Sequence, residues 1–454
     1  MLPAKPTPRS LDSDTIAAIA TAPGKGGIGV VRLSGPKAYA IGLKITQRQQ
    51  LQPRYAHYAD FFSRENESLD NGLVLFFEAP HSFTGEHVVE LQGHGGPVVL
   101  QMILNRCTEL GARRARPGEF SERAFLNEKL DLLQAEAIAD LINAQTQTAV
   151  RQAQASLRGR FSQEIDQFAR SVLALRLYIE AAIDFPEEEI DFLAEGHVAE
   201  QLLALIDQGN TLLLQARRGQ LIQGGASIVL VGEPNAGKSS LMNALVGNDS
   251  SIVTDIPGTT RDLVKDMMDL GGVPVSITDT AGLRDSDDPI ESEGVKRALA
   301  EIERADLTVW VCDELAQPGQ ALSKPTNAQL KVITKCDLSG RTPGNVNDKV
   351  AMPTVAISSV TGEGLDDLKT SLLAQLGLHD SEDTLFSARE RHIEALHKTQ
   401  ALLQTGLENF NQTGAGELLA EDLKVAHQSL GSITGEVTSD DLLGHIFSQF
   451  CIGK

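Results

Sequence analysis

The sequence predicts a multidomain protein: an N-terminal α+β domain, then an α-helical domain interrupted by an inserted α/β domain. Three observations predict it. Short strand-like runs separated by glycine turns fill residues 14 to about 127. Helical periodicity occupies about 129 to 223 and returns after about 387. Between the helical stretches β and α patterns alternate, which calls for a parallel sheet with crossover helices. The expected divisions are 1–127, 128–223, 224–378 and 379–454. The two helical segments flank the insert and form one discontinuous domain.

Composition bounds the function. The 454 residues suggest about three domains. Hydrophobic content of 41% and charged content of 22% describe a chain able to bury a sizeable core. No apolar run approaches the roughly 18 residues of a membrane span. The opening MLPAKPTPRSLDSD lacks an apolar h-region and reads as a leader, not a secretory signal. The four cysteines have no metal-ligand or disulfide spacing, which suits a reducing, cytoplasmic setting. Cys107, Cys312 and Cys336 sit among apolar residues and are expected as small core side chains. At a net charge of -21, a nucleic-acid partner must be held by a local basic patch. RRAR (Arg113 to Arg116) and ARR (Ala216 to Arg218) are the candidates, with solvated loop charges the expected reading of each.

In chain order, IGVVRLSG and NGLVLFFEAP read as strands, and EHVVELQGHGGP as a strand running into a turn before a helix from about Val98 to Leu110. GKGGIG at Gly24 to Gly29 lacks phosphate-loop spacing and reads as a tight turn entering a strand. Val172, Leu175, Ile179 and Ile183 recur at steps of three and four and share a helix face. Pro186 followed by Glu187, Glu188 and Glu189 reads as a helix start, with acids near the positive end of the dipole. In the last helix Thr438 or Ser439 serves as cap, and Leu442, Leu443, Ile446, Phe447 and Phe450 form an apolar stripe. CIGK then leaves a packed helix. Its outline as a prenylation box fails at Gly453 and Lys454.

The insert carries the chemistry. The strand Ile228 to Val231 runs into GEPNAGKSS, which matches G-x4-G-K-S from Gly232 to Ser239. Glycines let backbone N–H groups cradle phosphates, with Asn235, Ala236, Gly237 and Ser240 lining the loop. Lys238 neutralises the β and γ phosphates, and Ser239 holds magnesium. Downstream, Asp279 ends a strand in SITDTAG, where its carboxylate reaches magnesium through water; Thr280, Ala281 and Gly282 follow, Gly282 offering an N–H to the γ-phosphate. Between them lies TDIPGTTRD (Thr254, Asp255, Ile256, Pro257, Gly258, Thr259), with Thr260 as the switch-loop magnesium ligand. The order is that of a Ras-like GTPase. In ITKCDL, Asp337 accepts guanine N–H groups and Lys335 covers the ring, while Ser358, Ser359 and Val360 form a further base loop. Thr334 stands where asparagine is usual, which costs an amide and weakens guanine binding. Leu283 stands where a water-orienting glutamine is common, and neither Arg261 nor Arg284 is supported as an arginine finger.

GEPNAGKSS, TDIPGTTRD, DTAGLR, RPGEFSERAFLNEKLDL, EAAIDFPEEEIDF, SDDLLGHIF and the terminal FCIGK together resemble the MnmE (TrmE) family of tRNA-modification GTPases over nearly the whole chain. The resemblance implies a folate-binding and dimerising N-terminal domain and a helical domain split around the G domain. It implies work with the FAD-carrying flavoprotein MnmG (GidA) in a heterotetramer or larger assembly. The product is an aminomethyl or carboxymethylaminomethyl group at C5 of the wobble uridine of certain tRNAs, with 5-formyl- or 5,10-methylene-tetrahydrofolate as carbon source. It places folate contacts on Arg32, Glu90, Lys129 and Lys454, and puts Cys451 beside them as a reactive thiol. It supplies a potassium ion in place of the finger, held by Asn235, Thr254, Ile256 and Thr259, and puts the catalytic acid on Glu291, with Glu293 as the nearby alternative for that role. The rival from another class is a regulatory RNA- or ribosome-associated GTPase without base chemistry, which needs neither the N-terminal fold nor the CIGK tail.

Overall fold

The structure is a computed structural model that describes residues 14–184, 197–248, 265–279, 301–315, 327–346, 352–378, 386–437 and 440–453. Alternation of apolar and polar residues builds its first sheet. The strands are β1 (Thr15–Ile19), β2 (Gly26–Ser34), β3 (His57–Phe62), β4 (Ser68–Phe77), β5 (Val88–Gly95) and β6 (Ala112–Arg114), ordered β3-β4-β5-β2-β1-β6. All neighbours are antiparallel except β1 and β6. Val31 and Leu33, Val89 and Leu91, and Val74 and Phe76 share the inner face. Helices α1 (Ala38–Thr46) and α2 (Pro97–Glu109) cover that face with Ile41, Ile45, Leu100, Ile103 and Cys107. Period two then forces Arg32 and Glu90 onto the opposite face, and the β2–β5 register sets them side by side.

Helices follow: α3 (Glu119–Leu126), α4 (Leu132–Asn143), α5 (Gln147–Leu157), α6 (Arg160–Asp184) and α7 (Val198–Gly224). On α6 the expected stripe buries Val172, Leu175 and Ile179, and Ile183 is half-buried. The helix start expected at Pro186, with Glu187 to Glu189, lies outside the described residues.

The second sheet begins at β7 (Ala226–Gly232), which feeds α8 (Lys238–Asn248). Then come β8 (Lys265–Leu270), β9 (Val273–Asp279), β10 (Leu307–Asp313), β11 (Leu330–Thr334), α9 (Cys336–Ser339), β12 (Gly344–Asn345), β13 (Thr354–Ala356) and α10 (Leu365–Gln375). The order is β12-β13-β11-β10-β7-β9-β8, parallel through the middle with antiparallel edges β12 and β8. Its central strands are near-continuous apolar runs, as burial on both faces requires. The β8–β9 turn at Gly271 and Gly272 meets α5: Thr146 caps that helix by accepting from the Ala149 N–H, and donates its hydroxyl to the Gly272 carbonyl at 2.7 Å.

The chain finishes with α11 (Glu390–Thr413), α12 (Gly416–Thr434) and α13 (Asp440–Ser448). Ile446, Phe447 and Phe450 pack on Leu132, Ala135 and Ala139 of α4. Fully burying an apolar side chain of this size stabilises by about 1.5–3 kcal/mol, so the segment ahead of the tail is anchored. The caps expected at Thr438 and Ser439 lie outside the described residues.

Two compact units result: residues 1–139, 162–202 and 401–454, and residues 140–161 with 203–400. The helical stretches that read as one domain are shared between these units. The physical reason is local, since α5 and the end of α7 lend Ala149 and Ile222 to the core of the second sheet. Two loop assignments are corrected. RRAR lies partly on strand β6, and two of its three arginines are matched internally: Arg113 pairs with Asp14 at 2.7 Å and Glu119 at 2.6 Å, and Arg116 pairs with Glu122 at 3.0 Å. ARR lies in α7, where Ala216 is buried and Arg217 meets His397 at 2.6 Å. Cys107 and Cys336 are core residues as expected, whereas Cys312 is only half-buried. Burial pushes the Cys107 thiol up to about 12, so it is inert as a nucleophile.

Candidate functional site

β7 delivers the phosphate loop, whose conformation needs a left-handed residue at Asn235 (φ +66°). Lys238 is 4% exposed, and its ammonium donates to the carbonyls of Gly232 and Glu233, both at 2.8 Å. Burial lowers its pKa, with Asp279 and Glu233 opposing. The result is a cation enclosed at the mouth of the loop. Ser239 Oγ, in the first turn of α8, donates to Asp279 Oδ2 at 2.6 Å at the end of β9, the parallel neighbour of β7. A hydroxyl and a carboxylate are hard oxygen donors of the kind magnesium takes.

The base loop is tied to the phosphate loop. Thr334 is 1% exposed, and its hydroxyl lies 2.7 Å from the Ala236 carbonyl and 3.2 Å from that of Cys312. The residue that costs an amide therefore still tethers β11 to the phosphate loop. Lys335 (φ +61°) donates to the Asn235 carbonyl at 3.1 Å and to Asp313 at 2.5 Å. Asp337 projects from α9 and is exposed. Ser358 Oγ accepts from the N–H groups of Val360 and Thr361 at 3.3 and 3.1 Å, which folds the second base loop back on itself. Thr254, Asp255, Ile256, Pro257, Gly258, Thr259, Thr260, Thr280, Ala281, Gly282, Leu283, Glu291, Glu293, Arg261 and Arg284 lie outside the described residues, and so does Lys454.

A second constellation stands on the outer face of the first sheet. The Arg32 guanidinium holds Glu90 Oε1 through Nε and Nη2, both at 2.9 Å, and Gln92 donates to Glu90 Oε2 at 3.1 Å. Arg32 also lies 5.8 Å from the Phe120 ring centroid. The chain's tail arrives here: Arg32 Nη1 donates to the Gly453 carbonyl at 3.2 Å, and Gly118 N–H to the Cys451 carbonyl at 3.4 Å. The Cys451 thiol is exposed. Of the four expected folate contacts, Arg32 and Glu90 touch directly, and Gly453 brings the chain to the residue before Lys454. Lys129 is placed apart, donating to the Pro80 carbonyl at 3.0 Å. Sequence reasoning missed Gly118, Phe120 and Gly453 as parts of this constellation; the one available signal was the glycine in each of RPGEF and CIGK.

A buried ion cluster backs the Pro117–Gly118 corner. Arg123, 2% exposed, donates to Asp14 at 2.7 Å, Glu86 at 3.1 Å and Glu119 at 3.1 Å, and Glu119 also accepts from the Arg116 N–H at 2.8 Å. Burial raises the Glu119 carboxyl, but Arg113, the Arg116 N–H and Arg123 outweigh it and hold it below the usual range.

The family description "MnmE helical domain" matches residues 132–451, and "GTP-binding protein TrmE N-terminus" matches residues 15–129. A tRNA modification GTPase MnmE of Pseudomonas fluorescens strain Pf-5 is 52% identical over 452 residues, covering 97% of this chain and 99% of that protein. One of Legionella pneumophila strain Corby is 52% identical over 447 residues, with 97% and 99% covered. Among solved structures, the G domain of the T. maritima FeoB iron transporter is 24% identical and covers 33% of this chain and 98% of that chain, with a TM-score of 0.25. A likeness at that score bears on nothing further.

Proposed function

The chain belongs to the MnmE family of tRNA modification GTPases, and from that membership we propose that it couples GTP hydrolysis to modification at C5 of the wobble uridine, position 34, of certain tRNAs. The observation that carries the reading is the presence, in one chain, of the tethered phosphate and base loops and of a tail delivered to Arg32 and Glu90. A purely regulatory RNA- or ribosome-associated GTPase has use for the first and none for the second.

In this reading Lys238 places its charge on the β and γ phosphates, Ser239 and Thr260 ligate magnesium with Asp279 behind it, and Asp337 reads guanine. Glu291, or Glu293 as the alternative, orients the attacking water through a second water. Potassium, held by Asn235, Thr254, Ile256 and Thr259, supplies the charge an arginine finger would bring, and two G domains pair across their nucleotide faces to complete that site. Residues 1–127 form the folate-binding and dimerisation domain, 128–223 and 379–454 the helical domain, and 224–378 the G domain. Glu90 pairs with pterin N–H groups, while Arg32, Lys129 and Lys454 suit the folate's carboxylates. The folate supplies the one-carbon unit, and FAD resides on the MnmG (GidA) partner. Cys451 offers its thiol beside the folate. Cytoplasmic action fits tRNA as substrate; among the described residues no helix is long and apolar enough to cross a membrane.

The test is mass spectrometry of wobble-uridine nucleosides from a deletion strain complemented with this chain. Restored C5 modification is expected; unmodified uridine alongside normal GTP turnover would favour the regulatory reading. Turnover in potassium and in sodium at equal ionic strength checks the ion separately, and equal rates would remove potassium from the mechanism.

A further inference from the structure

A chain terminus ordinarily frays unless something ties it down. Among the described residues beyond Phe450 no large side chain is buried: Cys451 is exposed and Ile452 is 59% exposed. Its position nevertheless is specified by backbone contacts. Pro117 and Ile452 form an antiparallel bridge beside the Gly118 to Cys451 hydrogen bond. Gly453 is buried with φ +94°, and a Cβ there would stand 2.5 Å from the Ile19 carbonyl oxygen and 2.8 Å from Ala20 Cα. Both are main-chain atoms, so no rotamer change relieves the clash. The facing corner is equally narrow: Gly118 has φ +67°, and a Cβ on it would meet the Phe447 carbonyl oxygen at 2.4 Å.

The Gly453 carbonyl seated this way is the one Arg32 Nη1 reaches, while the other two nitrogens of the same guanidinium hold Glu90. One planar fork thus spans the sheet carboxylate and the tail. The guanidinium is rigid, so orienting it against Glu90 also aims the third donor. Among the described residues the tail's hydrogen bonds are few, and the one to Arg32 is part-buried, so its docking is an equilibrium that a ligand can shift by binding one state better.

We infer that Gly453 is a positioning residue that seats the C-terminal segment on Arg32, so that docking of the tail and binding of a ligand at Glu90 reinforce each other. The ligand's identity as a folate rests on the proposed function; the seating of the tail does not. Reciprocity follows from linkage: whatever factor the docked tail adds to ligand affinity, the ligand adds to docking.

Hydrogen exchange of the full-length protein reads docking directly, through the peptide ending at residue 454 and the peptide containing Gly118. Gly453→Ala is expected to speed exchange in both by about tenfold or more. Gly444→Ala, whose Cβ would meet nothing within 4 Å, is the control and should exchange like the parent. Arg32→Lys keeps the charge and loses the fork, and it should loosen the same two peptides even if Gly453→Ala folds poorly. Added 5-formyltetrahydrofolate should slow both peptides in the parent and weaken in affinity for Gly453→Ala by about tenfold. Parent-like exchange in Gly453→Ala would overturn the seating. Saturation by folate, measured calorimetrically, with unchanged tail exchange would overturn the coupling. No folate binding at all would overturn the coupling and the folate reading together, while the ligand-free exchange still decides the seating.

Discussion

The nucleotide loops and the tail constellation are built by opposite strategies. The phosphate loop is eight consecutive residues, Gly232 to Ser239, pinned between a strand and a helix, and its partners Asp279 and Thr334 stand at the ends of two parallel strands of the same sheet. The tail constellation gathers residues 32, 90, 118, 120 and 453, which are joined only after two sheet strands and a distant helix have packed. The first is local geometry that secondary structure imposes. The second is a tertiary product, and it should fail whenever packing of the C-terminal helix fails.

The sharpest separation comes from Lys238→Ala. Removing the enclosed cation of the phosphate loop is expected to lower GTP turnover by about a thousandfold, by analogy with loss of a preorganised charge-stabilising group. Steady-state kinetics with GTP checks it, and residual turnover within tenfold of the parent would mean the loop is not the hydrolytic site. Arg32→Ala, next in size, should weaken folate binding by about thirtyfold, the scale of a lost charge-assisted hydrogen bond in a partly buried place. Calorimetric titration decides it, with nucleotide affinity on the same sample as reference. Loss of both affinities together would erase the contrast between the two sites.

A smaller effect sharpens the local site. Thr334→Val keeps the shape and removes the hydroxyl that ties the base loop to Ala236, so GTP and GDP affinity should fall about fivefold to tenfold. Thr334→Ser should restore it. Guanosine alone, which does not span both loops, should lose little; an equal loss for guanosine would show that the hydroxyl acts on the base pocket itself. The smallest effect is on acid stability. Asp14, Glu119 and Asp70 are desolvated, which raises them, but hydrogen bonds from arginines and from His94 outweigh burial and hold each below its ordinary range. The folded state therefore binds fewer protons than the unfolded one. The stabilisation is present above the ordinary carboxyl range and is lost as pH falls below about 4. Thermal melts of the parent and of Glu119→Gln across that range should converge at the acid end.

What was legible in the sequence follows the same division. GEPNAGKSS, ITKCDL and the parallel strands could be read because spacing along the chain is spacing in space when a strand runs into a turn and a helix. VVRLSG and VVELQ could be read as strands, but the face shared by Arg32 and Glu90 came only with the β2–β5 register. Resemblance alone singled them out, because nothing in a strand's pattern says which outward charges meet. The basic run RRAR misled for a related reason: its partners Asp14, Glu119 and Glu122 are matched by folding, and a one-dimensional charge count sees only the cations. Gly453 looked like a defect in a prenylation box, since the backbone that excludes a side chain there belongs to β1, more than four hundred residues earlier.

The Thr146 bond to Gly272 has a mechanical corollary. In the sequence β8 follows GTTRD and β9 leads into DTAG; the end of β9 reaches the phosphate loop through Asp279 and Ser239, the start of β8 pairs beside it, and the two strands share their other end at a single turn. That turn is clamped to the N-cap residue of a helix whose Ala149 is embedded in the sheet's own core. A hairpin clamped at its far end, with β9 also laddered to β7, cannot slide lengthwise without breaking ladder register. Force applied at the near end can then only bend or twist it, and the torque is delivered to the clamp. Lengthening the hairpin by one residue pair on each strand would leave the nucleotide loops intact and move the clamp off its helix.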